Sequence, residues 1–320
     1  MKIIFNLVFL VSLLVFKSAL FANDWSYESF ESNPFLSDWR VHGDESLFFW
    51  DEESESLEVT WDSEKPNSYF YRPLGRTLTE ADSFAFTFQI TLEKVKAGYL
   101  DGQPYTFEVA VGLSNMAAAI DENFNRSTGT DSPHLVEWDY FPDTGFGATI
   151  SPAMSSGKSQ FSAGFTFPAE LLIGKSYSVR LSFNALSKTL TTDIMEDGKL
   201  WKKITGVTLS SDFSGFQVDA FNVSSYSAKG SESSLLVVGR LDDFAISMGS
   251  SFSDFFDVKI IDGQLCSKAF LVNPDKWQVE SSSDLLHWNK SNAVFVPDGF
   301  FHQFMTPVTE NQNKFYRLMQ

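Results

Sequence analysis

The chain of 320 residues carries 24 basic against 41 acidic side chains, a formal net charge of −17 at pH 7. Such a surface repels nucleic acid and anionic membrane, and it suits neutral or basic partners or calcium. With 33 Phe and 16% aromatic residues the chain can fill a large core, which excludes disorder for want of hydrophobic residues.

In chain order, Lys2 is followed by an apolar run from Ile3 to Phe16, broken only by Asn6 and Ser12, and then by small residues up to Ala22. That is the layout of a secretory signal peptide over residues 1–22. The other reading is a membrane anchor, but a span needs about 20 apolar residues and the run is shorter. No later segment is apolar for long enough to cross a bilayer, and no cysteine follows the leader to carry a lipid. The one cysteine, Cys266, cannot close an internal disulfide and is expected as a small buried filler.

From Asp24 to Met248 the dominant period is two. Phe84–Leu92, Tyr105–Leu113 and Tyr177–Phe183 alternate apolar with small or polar residues, and Leu57–Trp61 and Phe244–Met248 do so over shorter runs. Alternation marks strands with one face in a core and one nearer water. Turn signals at Asp101-Gly102, Glu196-Asp197-Gly198 and Lys229-Gly230 separate them. Helical periodicity is scarce, and Asn115–Glu122 fits a short helical turn or a loop. The expectation is an all-β fold over residues 24–248, with antiparallel sheets stacked face to face. Residues 249–254, opening Gly249-Ser-Ser-Phe-Ser253, then form a linker. Residues 255–320 form a small C-terminal β-module marked by Trp277–Val279, Ala293–Val296 and Phe315–Leu318, unless those strands pack onto the main sandwich.

The order of features carries a resemblance. Asn33–Trp39 is followed by Val41-His42-Gly43, then by Leu57–Trp61, the hairpin pattern from Tyr177 to Leu190, and Gly239–Ile246. This resembles the concanavalin A-like (laminin G-like) lectin/glucanase superfamily. The resemblance implies a jelly-roll sandwich over most of residues 24–248, with glycans lying in a concave groove. The tail, Trp277–Trp288 and Phe315-Tyr-Arg-Leu318, resembles a short β-module at the C-termini of predicted secreted bacterial proteins. It implies an exported or cell-surface bacterial protein.

The stretch Leu135–Gly147 holds three carboxylates. On a strand, Leu135, Glu137, Asp139 and Phe141 share one face, and Val136, Trp138 and Tyr140 share the other. The second set is the more apolar and is expected in the core, which places Glu137 and Asp139 on the opposite surface, open to water. Laminarinase-type glycoside hydrolases of the resembled superfamily carry a Glu-x-Asp-x-Glu strand. Glu137 and Asp139 match its first two places, but Phe141 or Pro142 stands in the third and Asp143 comes one step late. Retention needs two carboxyl groups about 5–5.5 Å apart, and Pro142-Asp143-Thr144-Gly145 reads as a turn.

Binding without cleavage is therefore the favoured expectation. Glu137 and Asp139 would bond to the hydroxyls of an extracellular glycan or polymer, with Trp50, Trp61, Tyr69 and Tyr71 as candidate stacking rings. Tyr69 and Tyr71 flank Phe70, and one of the two sets must face the core. The rivals are a hydrolase built on Glu137, Asp139 and Asp143, and an adhesive surface protein with no small ligand. No cofactor is expected unless Asp242 and Asp243 hold calcium, which suits hard oxygen donors; strict alternation points only one of the two outward. His42, His134, His287 and His302 lack zinc spacing, and no phosphate loop or serine-nucleophile elbow occurs.

Overall fold

A computed structural model describes residues 25–126, 134–157, 160–248, 255–261, 264–269, 278–291, 293–298, 300–307 and 314–319. The expected leader, residues 1–22, the expected linker 249–254 and Trp277 lie outside them. Among the described residues no helix is long and apolar enough to cross a membrane.

Two antiparallel sheets form the main body. The nine-stranded sheet has the order β14 (Lys199–Thr208), β13 (Thr189–Glu196), β12 (Ser176–Asn184), β6 (Phe84–Ala97), β16 (Ser233–Met248), β4 (Ser56–Asp62) and β3 (Phe48–Asp51), with β1 (Trp25–Glu28) and β7 (Tyr105–Thr106) also on β16. The seven-stranded sheet has the order β11 (Phe161–Ala163), β10 (Thr149–Ser155), β9 (Leu135–Phe141), β8 (Val109–Ser114), β15 (Gln217–Ser225), β5 (Ser68–Thr79) and β2 (Arg40–His42). Meanders supply one end of each sheet, and β6 with β16 and β5 with β15 join strands far apart in the chain. This interleaving makes a jelly roll rather than two separate sheets.

The period-two reading holds in β6, β12 and β4, while the stretch expected as one strand over Tyr105–Leu113 breaks into β7 and β8 at Phe107 and Glu108. In β12, Tyr177, Val179, Leu181 and Phe183 turn into the core and Ser178, Arg180 and Ser182 turn out. The hairpin between β13 and β14 turns at Asp197 and Gly198, both with positive φ (49° and 69°), as a two-residue primed turn requires. The core between the sheets is aromatic: Trp39 stacks on Phe70 at 4.6 Å, and Phe88 meets Trp138 edge-on at 5.5 Å.

One expectation fails in an instructive way. The strands β8, β9 and β10 are not half-exposed; almost every residue on both faces is buried. The chain after β8 turns back across the far face through α1 (Met116–Ala119) and on to Arg126. Tyr69 Oη donates to the Ala119 carbonyl at 2.8 Å, and Asn67 Nδ2 donates to the Phe124 carbonyl at 3.1 Å. The stretch expected as a short helical turn is this α1, capped by the Asn115 side chain.

The tail builds two small sheets. One has the order β17 (Phe255–Ile261), β18 (Gln264–Ala269), β22 (Phe301–Pro307), β21 (Val294–Asp298), and the other β20 (Asn289–Lys290), β19 (Gln278–Ser282), β23 (Phe315–Met319). Neither shares a strand pairing with the sandwich among the described residues. The first of them nevertheless rests on it: Phe300 and Phe301 pack with Tyr27, Met195 and Ala245, and Lys268 bonds Tyr27 Oη and Asp243. Cys266 is buried, as a filler would be.

Candidate functional site

Strand β9 divides its faces as its sequence predicts. Trp138 and Tyr140 stack in the sandwich core, and Glu137 and Asp139 point away from it. The expected open surface is absent, however: Glu137 and Asp139 are each only 1% exposed. The cause is Arg126, which the covering segment carries inward. Its Nε donates to Glu108 Oε1 at 2.5 Å and its Nη2 to Asp139 Oδ2 at 3.0 Å, with Glu137 Oε2 at 3.6 Å. The guanidinium also lies 5.4 Å from the centre of the Tyr226 ring.

Gly112 makes the arrangement possible. It pairs with Glu137 on one side and Asn222 on the other. A Cβ there would sit 2.4 Å from the Val136 carbonyl oxygen and 3.0 Å from Glu137 Cγ. With no side chain in the way, Glu137 reaches past β8 to β15 and beyond, where Oε1 accepts from Tyr226 Oη at 2.6 Å and Ser224 Oγ at 3.1 Å.

Among the described residues one cation faces three carboxylates, Glu108, Glu137 and Asp139. Burial pushes the Glu137 carboxyl up to about 7, against the opposing pull of Arg126 and the Tyr226 hydrogen bond, with Glu108 adding to the rise. Burial and the Glu137 charge push the Tyr226 hydroxyl well above its ordinary value. A carboxyl raised in the folded state binds its proton more tightly there than when unfolded, so its contribution falls as pH rises. Unfolding free energy should drop between about pH 4.5 and 7, and Glu137→Gln should flatten that slope in urea melts taken across the range.

The remaining predicted residues scatter. Asp143 lies in an exposed turn and accepts from the Gly145 N–H at 2.9 Å, which is the turn reading. Trp61 is 1% exposed, inside the core, and Tyr69 is fully buried beneath Ala119; neither is open to a ligand. Tyr69 and Tyr71 do share the far face while Phe70 enters the core, and Tyr71 is half-buried. Trp50 is half-buried too, with Nε1 donating to the Phe30 carbonyl at 2.7 Å.

Asp242 and Asp243 break the alternation expected of them. A register shift in β16 between Asp242 and Ala245, with Asp243 at φ 50°, turns both away from the core. Asp243 is occupied by Tyr27 Oη, Gln89 Nε2 and the Lys268 ammonium, at 3.0 Å for the last, which leaves little for calcium. No group of three or more His, Cys, Asp or Glu that could hold a metal occurs among the described residues.

What the sequence did not single out is a groove where the covering segment meets the sheet edge. Its volume is about 730 Å³, and its walls include His42, Ile120, Glu122, Asn123 and Phe124, with Tyr69 buried beneath them. His42 is exposed and its ring stacks on Tyr69 at 6.1 Å. Asp121 is held below the usual carboxylate range by hydrogen bonds from Asn123. The signals in the sequence were Tyr69, named as a candidate ring, His42 in the Val41-His42-Gly43 motif, and Asn115–Glu122 as a turn or loop; none marks a groove, because the segment Ala119–Asn125 has no period.

No family model and no curated protein matches the sequence. Among solved structures, the carbohydrate recognition domain of Emp47p is 10% identical with a TM-score of 0.45, covering 72% of this chain and 97% of that one. Peanut lectin, crystallised with a nine-residue peptide, is 15% identical with a TM-score of 0.43 over 71% of this chain and 98% of its own. A lectin from Bauhinia forficata in complex with GalNAc is 13% identical with a TM-score of 0.44, over 71% and 98%. Independently of these likenesses, the two sheet orders and the aromatic core between them define the main body as a jelly-roll β-sandwich.

Proposed function

We propose that this is an exported protein that binds a carbohydrate or another extracellular polymer without cleaving it, in the groove between the Ala119–Asn125 segment and the sheet. The groove is the observation that carries the reading. It combines the His42 and Phe124 rings and the exposed Ile120 with the Asn123 amide and the Asp121 and Glu122 carboxylates. Sugars offer apolar ring faces and a rim of hydroxyls, and such a lining meets both. The leader layout of residues 1–22 supports export. Hydrolysis finds no support in the carboxylate pair of β9: it needs two acids flanking an open cleft, and Glu137 and Asp139 are sealed around an arginine.

A glycan array probed with the whole chain, followed by a reducing-sugar assay on every hit, tests this. Binding without release is expected, weakened by about tenfold, or 1.4 kcal/mol, in a His42→Ala/Asn123→Ala variant. Release of reducing sugar would overturn the non-cleaving reading. Silence on every glycan would overturn the carbohydrate reading and leave the adhesive one.

A further inference from the structure

The outer face of the nine-stranded sheet, remote from the groove on the other sheet, has a polar concavity of about 310 Å³. Its floor is two cross-strand rows: Gln89 opposite Asp242, and Thr91 between Arg240 and Ser176. Ser54 and Ser56 close one side. The half-buried Asp242 carboxyl accepts the Asp243 N–H at 2.7 Å, and its other oxygen has no hydrogen-bond partner among the described residues. Gln89 is oriented from both sides, donating to Asp243 Oδ2 at 2.5 Å and accepting from Ser176 Oγ at 3.2 Å.

The charges around this floor are unevenly matched. Arg240 bonds Glu93 at 2.6 Å, faces Glu58 across the strand pair and feels Asp51. Lys268 gives its ammonium to Asp243 at 3.0 Å and Asp298 at 3.5 Å. Asp242 is left with no cation in contact; it sits beside Asp243, in the field of Lys268 and, more weakly, of Glu31. A half-buried carboxyl in such a place either keeps its proton or takes a cation from outside.

We propose that this concavity binds an amino sugar, a protonated amine carried on a polyhydroxylated ring, with the ammonium on Asp242 and the hydroxyls on Gln89, Thr91 and Ser176. Burial first, and the Asp243 charge second, raise the Asp242 carboxyl to about 8. At pH 7 the carboxyl is therefore mostly protonated, and an entering ammonium replaces that proton, which leaves to the buffer. Neutral sugars gain the hydroxyl contacts alone; acidic sugars gain no ammonium contact with Asp242, and the Arg240 guanidinium on the floor is already engaged by Glu93.

Isothermal calorimetry of the whole chain at pH 7 with glucosamine, glucose and glucuronate, in two buffers of different ionisation enthalpy, tests the site. Glucosamine should bind at least about tenfold more tightly than the other two, with heat that changes between buffers as a proton is released. Asp242→Asn copies the shape of the neutral acid; it should melt like the parent, lose about tenfold in glucosamine affinity and lose the buffer dependence. Gln89→Ala should weaken binding while keeping the proton release. Equal binding of glucose, no binding of glucosamine, or an Asp242→Asn variant that binds like the parent would each overturn the assignment.

Discussion

Replacing Arg126 by methionine should destabilise the chain by about 3–5 kcal/mol, the usual cost of leaving buried charges without their partner. The three carboxylates it serves, Glu108, Glu137 and Asp139, are 6%, 1% and 1% exposed and cannot recover the loss from water. For a sandwich of this size the melting temperature should fall by about 10 °C. Methionine keeps much of the arginine's length and apolar stem, so the loss would report charge rather than a void. A second substitution, Glu108→Gln, should restore part of the stability in the Arg126→Met background while destabilising the parent. That sign change is the signature of a coupled charge cluster. A loss below about 1 kcal/mol, the scale of a surface pair, would mean that the cluster is hydrated and the burial wrong. Because Arg126 directly follows the segment that walls the groove, its loss should also weaken any glycan found on the array.

This cluster shows where reading the sequence stopped. Alternation alone separated Val136, Trp138 and Tyr140 from Glu137 and Asp139, since pleating makes the choice of face a local matter. What covers the polar face is not local. Arg126 sits 13 residues before Asp139, with no period linking the two, and only the return of α1 across the sheet brings them together. Trp61 and Tyr69 illustrate the same limit: the period assigns each a side, yet both sides are buried. Asp143 was legible because Pro142-Asp143-Thr144-Gly145 carries its own turn chemistry. The tail strands were legible as strands, but nothing in them announced that they would form separate sheets, one of them resting on the sandwich through Phe300, Phe301 and Lys268.

The largest apolar effect is expected at Phe244. Along β16, Leu235, Val237 and Leu241 point into the core at odd positions, and Phe244 and Ile246 do so at even ones. The bulge after Asp242 makes this change of parity, since one extra residue reverses every later side chain. The turned Phe244 then joins both sheets and the segment that precedes β2. Its ring lies 5.6 Å from Phe30, 5.7 Å from Trp39, 5.9 Å from Phe86 of its own sheet and 6.1 Å from Phe221 of the facing one. Phe244→Ala should cost about 3–5 kcal/mol, the transfer free energy of the ring plus the cavity that rigid aromatic neighbours leave unfilled. Phe244→Leu should cost less, because most of the volume remains. Both are read from urea unfolding midpoints at an unchanged slope. The bulge itself makes the sharper test: deleting Asp243 removes the extra residue, plain alternation then keeps Phe244 and Ile246 on the core face, and the variant should fold, losing only the bonds of Asp243 to Tyr27, Gln89 and Lys268. A deletion variant that cannot fold would show that the aromatic junction around Phe244 needs the bulge as well as the alternation.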